Sequence, residues 1–432
     1  MLAGRLYNGA QMTSLANYRP EAVPADAIPA PKAVEAGIAR GLNIAPGSDD
    51  DGWTVPAAVT LPDSTVVRLY KDGEALRAWY EAITGATQNI FLETYIFASD
   101  RTGTAFRDLL CDKARQGVRV YVIYDSFGSH KTSQAFFDVL RDAGANVQEF
   151  HPIRPWQCRF SWRPFNRDHR KLLIIDGTSA GLGGLNIADE YGGSWIFEKD
   201  GACDDLWRDC GIALEGPAVS TLSASFLRTW LYVTRGGRFA RALLSYNLDG
   251  REGPTGVLAS VPMMGSSMSH FLSSLLREAT GSIDLTSAYF APAQNLCDEL
   301  CRAARRGVRV RLMLPSRTDA AIMVTAARSF YEELMSAGIE IYERLHVKLH
   351  AKTLVIDGCV SVLGSTNFDH RSIDYNCELV TAIHSAEFGA QMTGLFEHDV
   401  GFSRRMLPEI WRHRPVRDRV VQWAVQRSRY LL

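Results

Sequence analysis

One segment of this 432-residue chain occurs twice, and that constrains the fold more than any other feature. His169-Arg-Lys171-Leu-Leu-Ile-Ile-Asp176 is followed, after six residues, by Gly183-Gly184-Leu-Asn186. His350-Ala-Lys352-Thr-Leu-Val-Ile-Asp357 is followed, after six residues, by Gly364-Ser365-Thr-Asn367. At average residue frequencies, one copy arises by chance in on the order of one such chain in ten thousand. The flanks repeat in the same order. Ile90–Phe97 matches Ile283–Phe290, Gly117-Val-Arg-Val120 matches Gly307-Val-Arg-Val310, and Ala143-Gly144 matches Ala337-Gly338. A period this long is a duplicated domain, not a solenoid, and duplicated domains pack about a pseudo-twofold axis.

Within each copy, apolar runs alternate with amphipathic helical patterns. Residues 66–70, 89–97 and 118–125 read as strands; 74–84 and 103–116 read as helices. Strand, helix, strand at this spacing predicts βαβ units and an α/β fold with a mainly parallel or mixed sheet. The expected division is an extension at 1–58, a first domain at 59–235 and a Gly- and charge-rich linker at 236–256. A second domain at 257–400 and a basic C-terminal segment at 401–432 complete it. Pro and Ala alternate through 19–32, the composition of an extended linker.

Lys+Arg 47 against Asp+Glu 48 rules out a chain that coats nucleic acid by bulk charge. The eight cysteines are scattered and read as reduced thiols, not a disulfide framework. The uncharged stretch from Gly253 to Leu276 holds two prolines, a histidine and many serines, which excludes a transmembrane helix. The N-terminus lacks a signal-peptide core. A soluble or peripheral protein is expected.

The repeated segment carries the chemistry. His and Lys two apart on a strand share a face, setting an imidazole beside an ammonium. The apolar run is a buried strand, Asp-Gly a tight turn, the later glycines allow close backbone approach, and Asn brings an amide donor. A nucleophile or acid, a fixed cation and a neutral donor suit a phosphate whose charge grows during substitution.

The doubled pattern resembles the paired HKD signature of the phospholipase D superfamily over about residues 60–400. It is most similar to bacterial cardiolipin synthases of the short type without N-terminal transmembrane helices. Residues 89–97, 207–219, 287–292 and 364–372 support the likeness. The resemblance implies two tandem α/β/α sandwich domains about a pseudo-twofold axis, with one shared active site at their interface. It implies His169 as nucleophile and His350 as general acid/base, with the swapped assignment left open by the symmetry. Lys171, Lys352, Asn186 and Asn367, with Gly184 and Ser365, are expected around the phosphate. Asp209 and Glu378 are expected to orient the histidines, and Asp176 and Asp357 to hold the turns. No metal and no cofactor is expected, because lysines and histidines supply the positive charge.

The first copy carries an insert before its motif. There Arg154, Arg159, Arg163 and Arg167 alternate with Trp156, Phe160, Trp162 and Phe165. This composition fits a bilayer interface with anionic headgroups, single-stranded nucleic acid, or a loop packed on the domain. Arg154, Trp156, Arg159, Trp162 and Arg163 are taken as membrane or headgroup contacts. From Val416 onward the chain reads as a basic amphipathic helix. The expected partners are phospholipids and an anionic membrane surface at the cytoplasmic face, with no nucleic acid and no obligate protein partner. The expected reaction moves a phosphatidyl group from one phospholipid, phosphatidylglycerol, to the alcohol of another. Hydrolysis to phosphatidic acid, or a phosphodiesterase activity on nucleic acid, are the alternatives.

Overall fold

A computed structural model describes residues 52–153, 166–192, 207–235, 254–260 and 267–427. Residues 1–51, most of the expected linker, and Arg154, Trp156, Arg159, Trp162 and Arg163 lie outside the described residues.

The first half contributes β1 (Val59–Thr60), β2 (Val66–Lys71), β3 (Asn89–Thr94), β4 (Arg119–Asp125), β5 (Asn146–Phe150), β6 (Leu172–Ile175), β7 (Ser179–Gly183), β8 (Trp207–Arg208) and β9 (Cys210–Glu215). An eight-stranded sheet runs β1-β2-β9-β7-β6-β3-β4-β5. Strands β3, β4 and β5 are parallel, and the rest pair antiparallel. The second half contributes β10 (Thr255–Ser260), β11 (Ser282–Thr286), β12 (Phe290–Ala291), β13 (Arg309–Pro315), β14 (Glu340–Arg344), β15 (Lys348–Leu349), β16 (Thr353–Ile356), β17 (Val360–Gly364), β18 (Phe368–Asp369), β19 (Glu378–His384) and β20 (Ser403–Met406). Its sheet, β10-β19-β17-β16-β11-β13-β14-β20, repeats the same order and the same mixture of directions. Only the edges differ: β1 closes one sheet, and β20, past residue 400, closes the other. The chain is a mixed α/β fold of two like units.

The helices that cover the sheets form where the apolar period turns one face inward. In Gly73–Gly85, Ala75, Leu76, Trp79 and Ile83 are buried. Gly181 on β7 makes room for that helix: a Cβ there would lie 2.1 Å from Trp79 Nε1. Asp100 caps Arg101–Arg115 by accepting from Gly103 N at 2.8 Å. These helices and Gln134–Asp142 cover the outer face of the first sheet. Ser267–Glu278, Gln294–Arg305 and Tyr331–Ser336 cover that of the second.

Between the sheets lies a third core built by both halves. Ile174, Leu182 and Ile212 from one sheet meet Val355, Leu363 and Leu379 from the other. Phe226 of the helix Ala218–Arg235 and Leu395 of the helix Ala386–Val400 fill the same core. At roughly 1.5–3 kcal/mol per fully buried large apolar side chain, this shared core is a substantial part of what holds the halves together. The two motif strands, β6 and β16, each turn a side chain into this core, Ile174 and Val355.

Candidate active site

Each motif turn is stapled to its own sheet. Asp176 and Gly177 both have left-handed φ, 53° and 67°, as do Asp357 and Gly358, at 52° and 62°. Asp and Gly tolerate that conformation. The Asp176 carboxylate accepts from the amides of Thr87, Gln88 and Asn89 and from the Thr87 hydroxyl, at 2.8–2.9 Å. Asp357 accepts in the same way from Thr280, Gly281 and Ser282. Both aspartates anchor hairpins and stand apart from the histidines.

The histidines are held from across the seam. Strands β8 and β15, one from each half, pair in parallel, and His350 N donates to Arg208 O at 2.7 Å. On the other side of the seam, Asp168 bridges Cys377, and His169 N donates to Cys377 O at 2.9 Å. Asp209 follows Arg208 and Glu378 follows Cys377, so each carboxylate arrives beside the other half's histidine. His169 Nδ1 lies 3.1 and 3.2 Å from the two Glu378 oxygens. His350 Nδ1 lies 2.6 Å from Asp209 Oδ2. A carboxylate at Nδ1 fixes the proton there and leaves Nε2 as the reactive nitrogen. All four groups are buried.

The two pairs differ behind the carboxylate. The Ser365 hydroxyl donates to Glu378 Oε2 and accepts from Leu379 N at 3.0 Å. Asn376 adds a second donor to Glu378 at 3.3 Å. Gly184 occupies the matching place in the first half, and a Cβ there would come within 2.2 Å of Asp209 Oδ1. The shorter Asp thus backs onto Gly, the longer Glu onto Ser. Gly184 and Ser365, expected beside a phosphate, are engaged with the orienting carboxylates. Electrostatics follow. Burial pushes Asp209 up to about 6 against the pull of Lys352. Burial also works to raise Glu378, but His169, Lys171 and the Ser365 hydroxyl outweigh it and hold its carboxyl below the usual range.

Cations fill the pocket. Lys171 Nζ donates to His169 O at 2.6 Å, and Lys352 Nζ to His350 O. Burial lowers Lys171 to about 7 and Lys352 to about 8. Burial and Lys171 push His169 down; burial and both lysines push His350 well down. A buried cluster so depressed is short of negative charge, and a phosphodiester anion would restore it.

Asn186 is fixed from both ends: its carbonyl accepts from Ile96 N at 3.1 Å and its amide donates to the Tyr191 hydroxyl at 3.0 Å. Asn367 Oδ1 is buried with no partner among the described residues. Aromatic rings flank the imidazoles: Tyr95 against His169 at 4.9 Å, Trp207 and Tyr191 against His350 at 5.0 and 5.3 Å. Sequence reasoning missed these three, although Tyr95 and Trp207 lie in segments it had singled out. It also missed Arg170, whose second-half counterpart is Ala351. Arg170 donates to Thr229 Oγ1 of its own half at 2.7 Å and crosses the seam to Ser260 O at 2.8 Å and Glu378 O at 3.3 Å. The asymmetry between the two motif copies was the available signal. Among the described residues, the group with donors spaced for a metal is Cys297, Cys301 and Glu333, on the outer helices of the second half.

A family model described as "Cardiolipin synthase, PLD-like domain" matches residues 80–193 and 272–400. A protein named cardiolipin synthase from Geobacillus sp. (strain WCH70) is 34% identical over 364 residues, covering 83% of this chain and 71% of that protein. One of the same name from Alkalihalophilus pseudofirmus is 33% identical over the same shares. Among solved structures, a phosphatidylserine synthase from Haemophilus influenzae superposes with a TM-score of 0.67 at 13% identity, covering 87% of this chain and 97% of that one; this is a likeness of fold. The matched segments contain both motif histidines, both motif lysines and Glu378, and the chain belongs to the cardiolipin synthase-type PLD-like family, phosphatidyltransferases of the phospholipase D superfamily.

Proposed function

We propose that the chain is a cardiolipin synthase that transfers a phosphatidyl group from phosphatidylglycerol to the hydroxyl of a second phospholipid, by way of a phosphohistidine. The observation that carries this reading is the crossed pairing of each imidazole with the other half's carboxylate. His169 Nε2 attacks phosphorus with its lone pair while His350, as imidazolium, gives its Nε2 proton to the departing glycerol oxygen. The neutral His350 then takes the proton of the acceptor hydroxyl, whose oxygen attacks phosphorus and releases His169. Lys171 and Lys352 balance the charge on the phosphoryl oxygens. Ionised Glu378 stabilises the positive ring of the phosphohistidine, which favours His169 as the nucleophile. The phosphate's arrival raises His350, whose proton is then available to the leaving group.

The reading includes the domain division at 59–235 and 257–400, and a peripheral position on the cytoplasmic membrane face. Among the described residues, no helix is long and apolar enough to cross a membrane. The test is product analysis. Phosphatidylglycerol vesicles incubated with the protein should yield cardiolipin and glycerol in equal amounts. Phosphatidic acid as the main product would make water the acceptor, and cleavage of single-stranded DNA with no lipid product would overturn the lipid reading.

A further inference from the structure

The helix Val416–Arg427 is mounted with its apolar stripe outward. Val416, Val420 and Trp423 follow one another at helical spacing and are 73%, 59% and 58% exposed. The polar Gln422 is buried instead, and accepts from Arg414 Nε at 3.0 Å. Val425, on the opposite side from the stripe, packs against a small cluster of Ala291, Met323 and Ala326. A helix that merely covered its own domain would turn Val420 and Trp423 inward.

The stripe is edged with cations. Arg417, Arg419 and Arg427 are exposed, with Asp418 the acidic residue among them. The Arg427 guanidinium lies over the Trp423 ring at 4.6 Å, the aromatic–cation pairing that suits a headgroup layer. Position matters as much as composition. Tyr289 and Ala320 pack on the cluster that receives Val425. The Tyr289 hydroxyl donates to Asp319 Oδ1 at 2.6 Å, and Asp319 and His350 are near enough to act on each other's charge. The helix therefore packs on the segment whose Tyr289 and Asp319 lead to His350.

We infer that the outward face of Val416–Arg427 seats the enzyme on an anionic bilayer, with Val420 and Trp423 in the interface and the arginines on lipid headgroups, beside the mouth of the catalytic pocket. This rests on the reading of the pocket as a phosphatidyl-transfer site. Arginines and an exposed apolar stripe on one short helix match a negatively charged lipid surface. The same surface holds the substrate.

The test uses the full chain and the variant Val420→Glu with Trp423→Glu, both at exposed positions. Binding is measured by co-sedimentation with vesicles of phosphatidylglycerol and phosphatidylcholine. Turnover is measured separately on short-chain phosphatidylglycerol kept monomeric. The expected result is at least a tenfold loss of vesicle affinity, a parallel loss of turnover on vesicles, and unchanged turnover of the monomeric lipid. Vesicle affinity within threefold of the parent overturns the inference, as does equal binding to pure phosphatidylcholine. If the parent is a dimer that the variant dissolves, with vesicle affinity retained, the face joins two copies and the inference fails. Absent turnover of the monomeric lipid by the parent would instead sink the transfer-site reading, while the binding arm still decides the role of the helix.

Discussion

Replacing Glu378 with Gln keeps the shape of a fully buried side chain and removes its charge. The carboxylate receives His169 Nδ1 at 3.1 Å, the Ser365 hydroxyl and the Asn376 amide. An amide in its place can donate to Nδ1, which moves the imidazole proton to Nε2 and blocks the lone pair that must attack phosphorus. In the serine-protease triad, the corresponding carboxylate-to-amide change lowers kcat by about 10⁴ through the wrong tautomer. At 1.36 kcal/mol per decade, that is about 5 kcal/mol of barrier. Glu378→Gln is expected to lose about 10³–10⁴ in kcat, with thermal unfolding confirming a folded protein. The assay compares phosphatidylglycerol with a phosphatidyl-p-nitrophenol ester, whose leaving group needs no proton. Glu378→Gln should remain slow on both. Asp209→Asn should be slow on phosphatidylglycerol but release nitrophenol in a rapid first turnover, because it impairs only the acid. Activity of Glu378→Gln within tenfold of the parent refutes the tautomer argument. Rescue of Glu378→Gln but not of Asp209→Asn would make His350 the nucleophile.

Three other outcomes follow from the same geometry. Gly184→Ser places a side chain within about 2.2 Å of Asp209 Oδ1 and should cut kcat by about 10² or more by displacing that carboxylate, whereas Ser365→Gly should fold normally and lose less in kcat, as Glu378 loses one donor and keeps Asn376. A plot of kcat/KM against pH should be bell-shaped: it falls below about 6 as Asp209 protonates, and falls above about 7 as Lys171 loses its proton and more steeply above about 8 as Lys352 follows; a profile flat from 5 to 9 contradicts these assignments. Asp176→Ala should lower stability by about 1–2 kcal/mol with kcat nearly unchanged; because hydrogen bonds hold the Asp176 carboxyl below its usual range, the stability it adds is present above the ordinary carboxylate pKa and fades as pH falls through its folded value, which acid-titrated unfolding of parent and variant will show.

The sequence made the repeat, the sheets' strands and the eight polar residues of the two motifs legible, because each depends on short-range spacing. Helix ends at 73–85 and 101–115 fall within two residues of those read from the pattern. Asp209 and Glu378 were expected, from the family resemblance, to orient the histidines. Their exchange between halves was not, since it depends on how two sheets pack, and spacing along one chain carries no information about that. The same limit hid Arg170, which sits in the motif's variable position and reaches Ser260 O and Glu378 O only once the seam is closed. Ser365 was placed by type beside the phosphate; three-dimensional proximity to Glu378 gives its hydroxyl other work. The C-terminal helix was legible as basic and amphipathic, but the direction in which its apolar stripe points was not.

The proposed mechanism turns on a covalent phosphatidyl intermediate on His169. It is tested by incubating His350→Ala with phosphatidyl-p-nitrophenol, quenching, digesting under alkaline conditions and weighing the peptides. Attack needs no acid with this ester, while release of the intermediate needs the missing base, so the adduct accumulates. One phosphatidyl mass, acid-labile, should appear on the peptide that contains His169. Nitrophenol release with no adduct, or an adduct on any other residue, contradicts that mechanism.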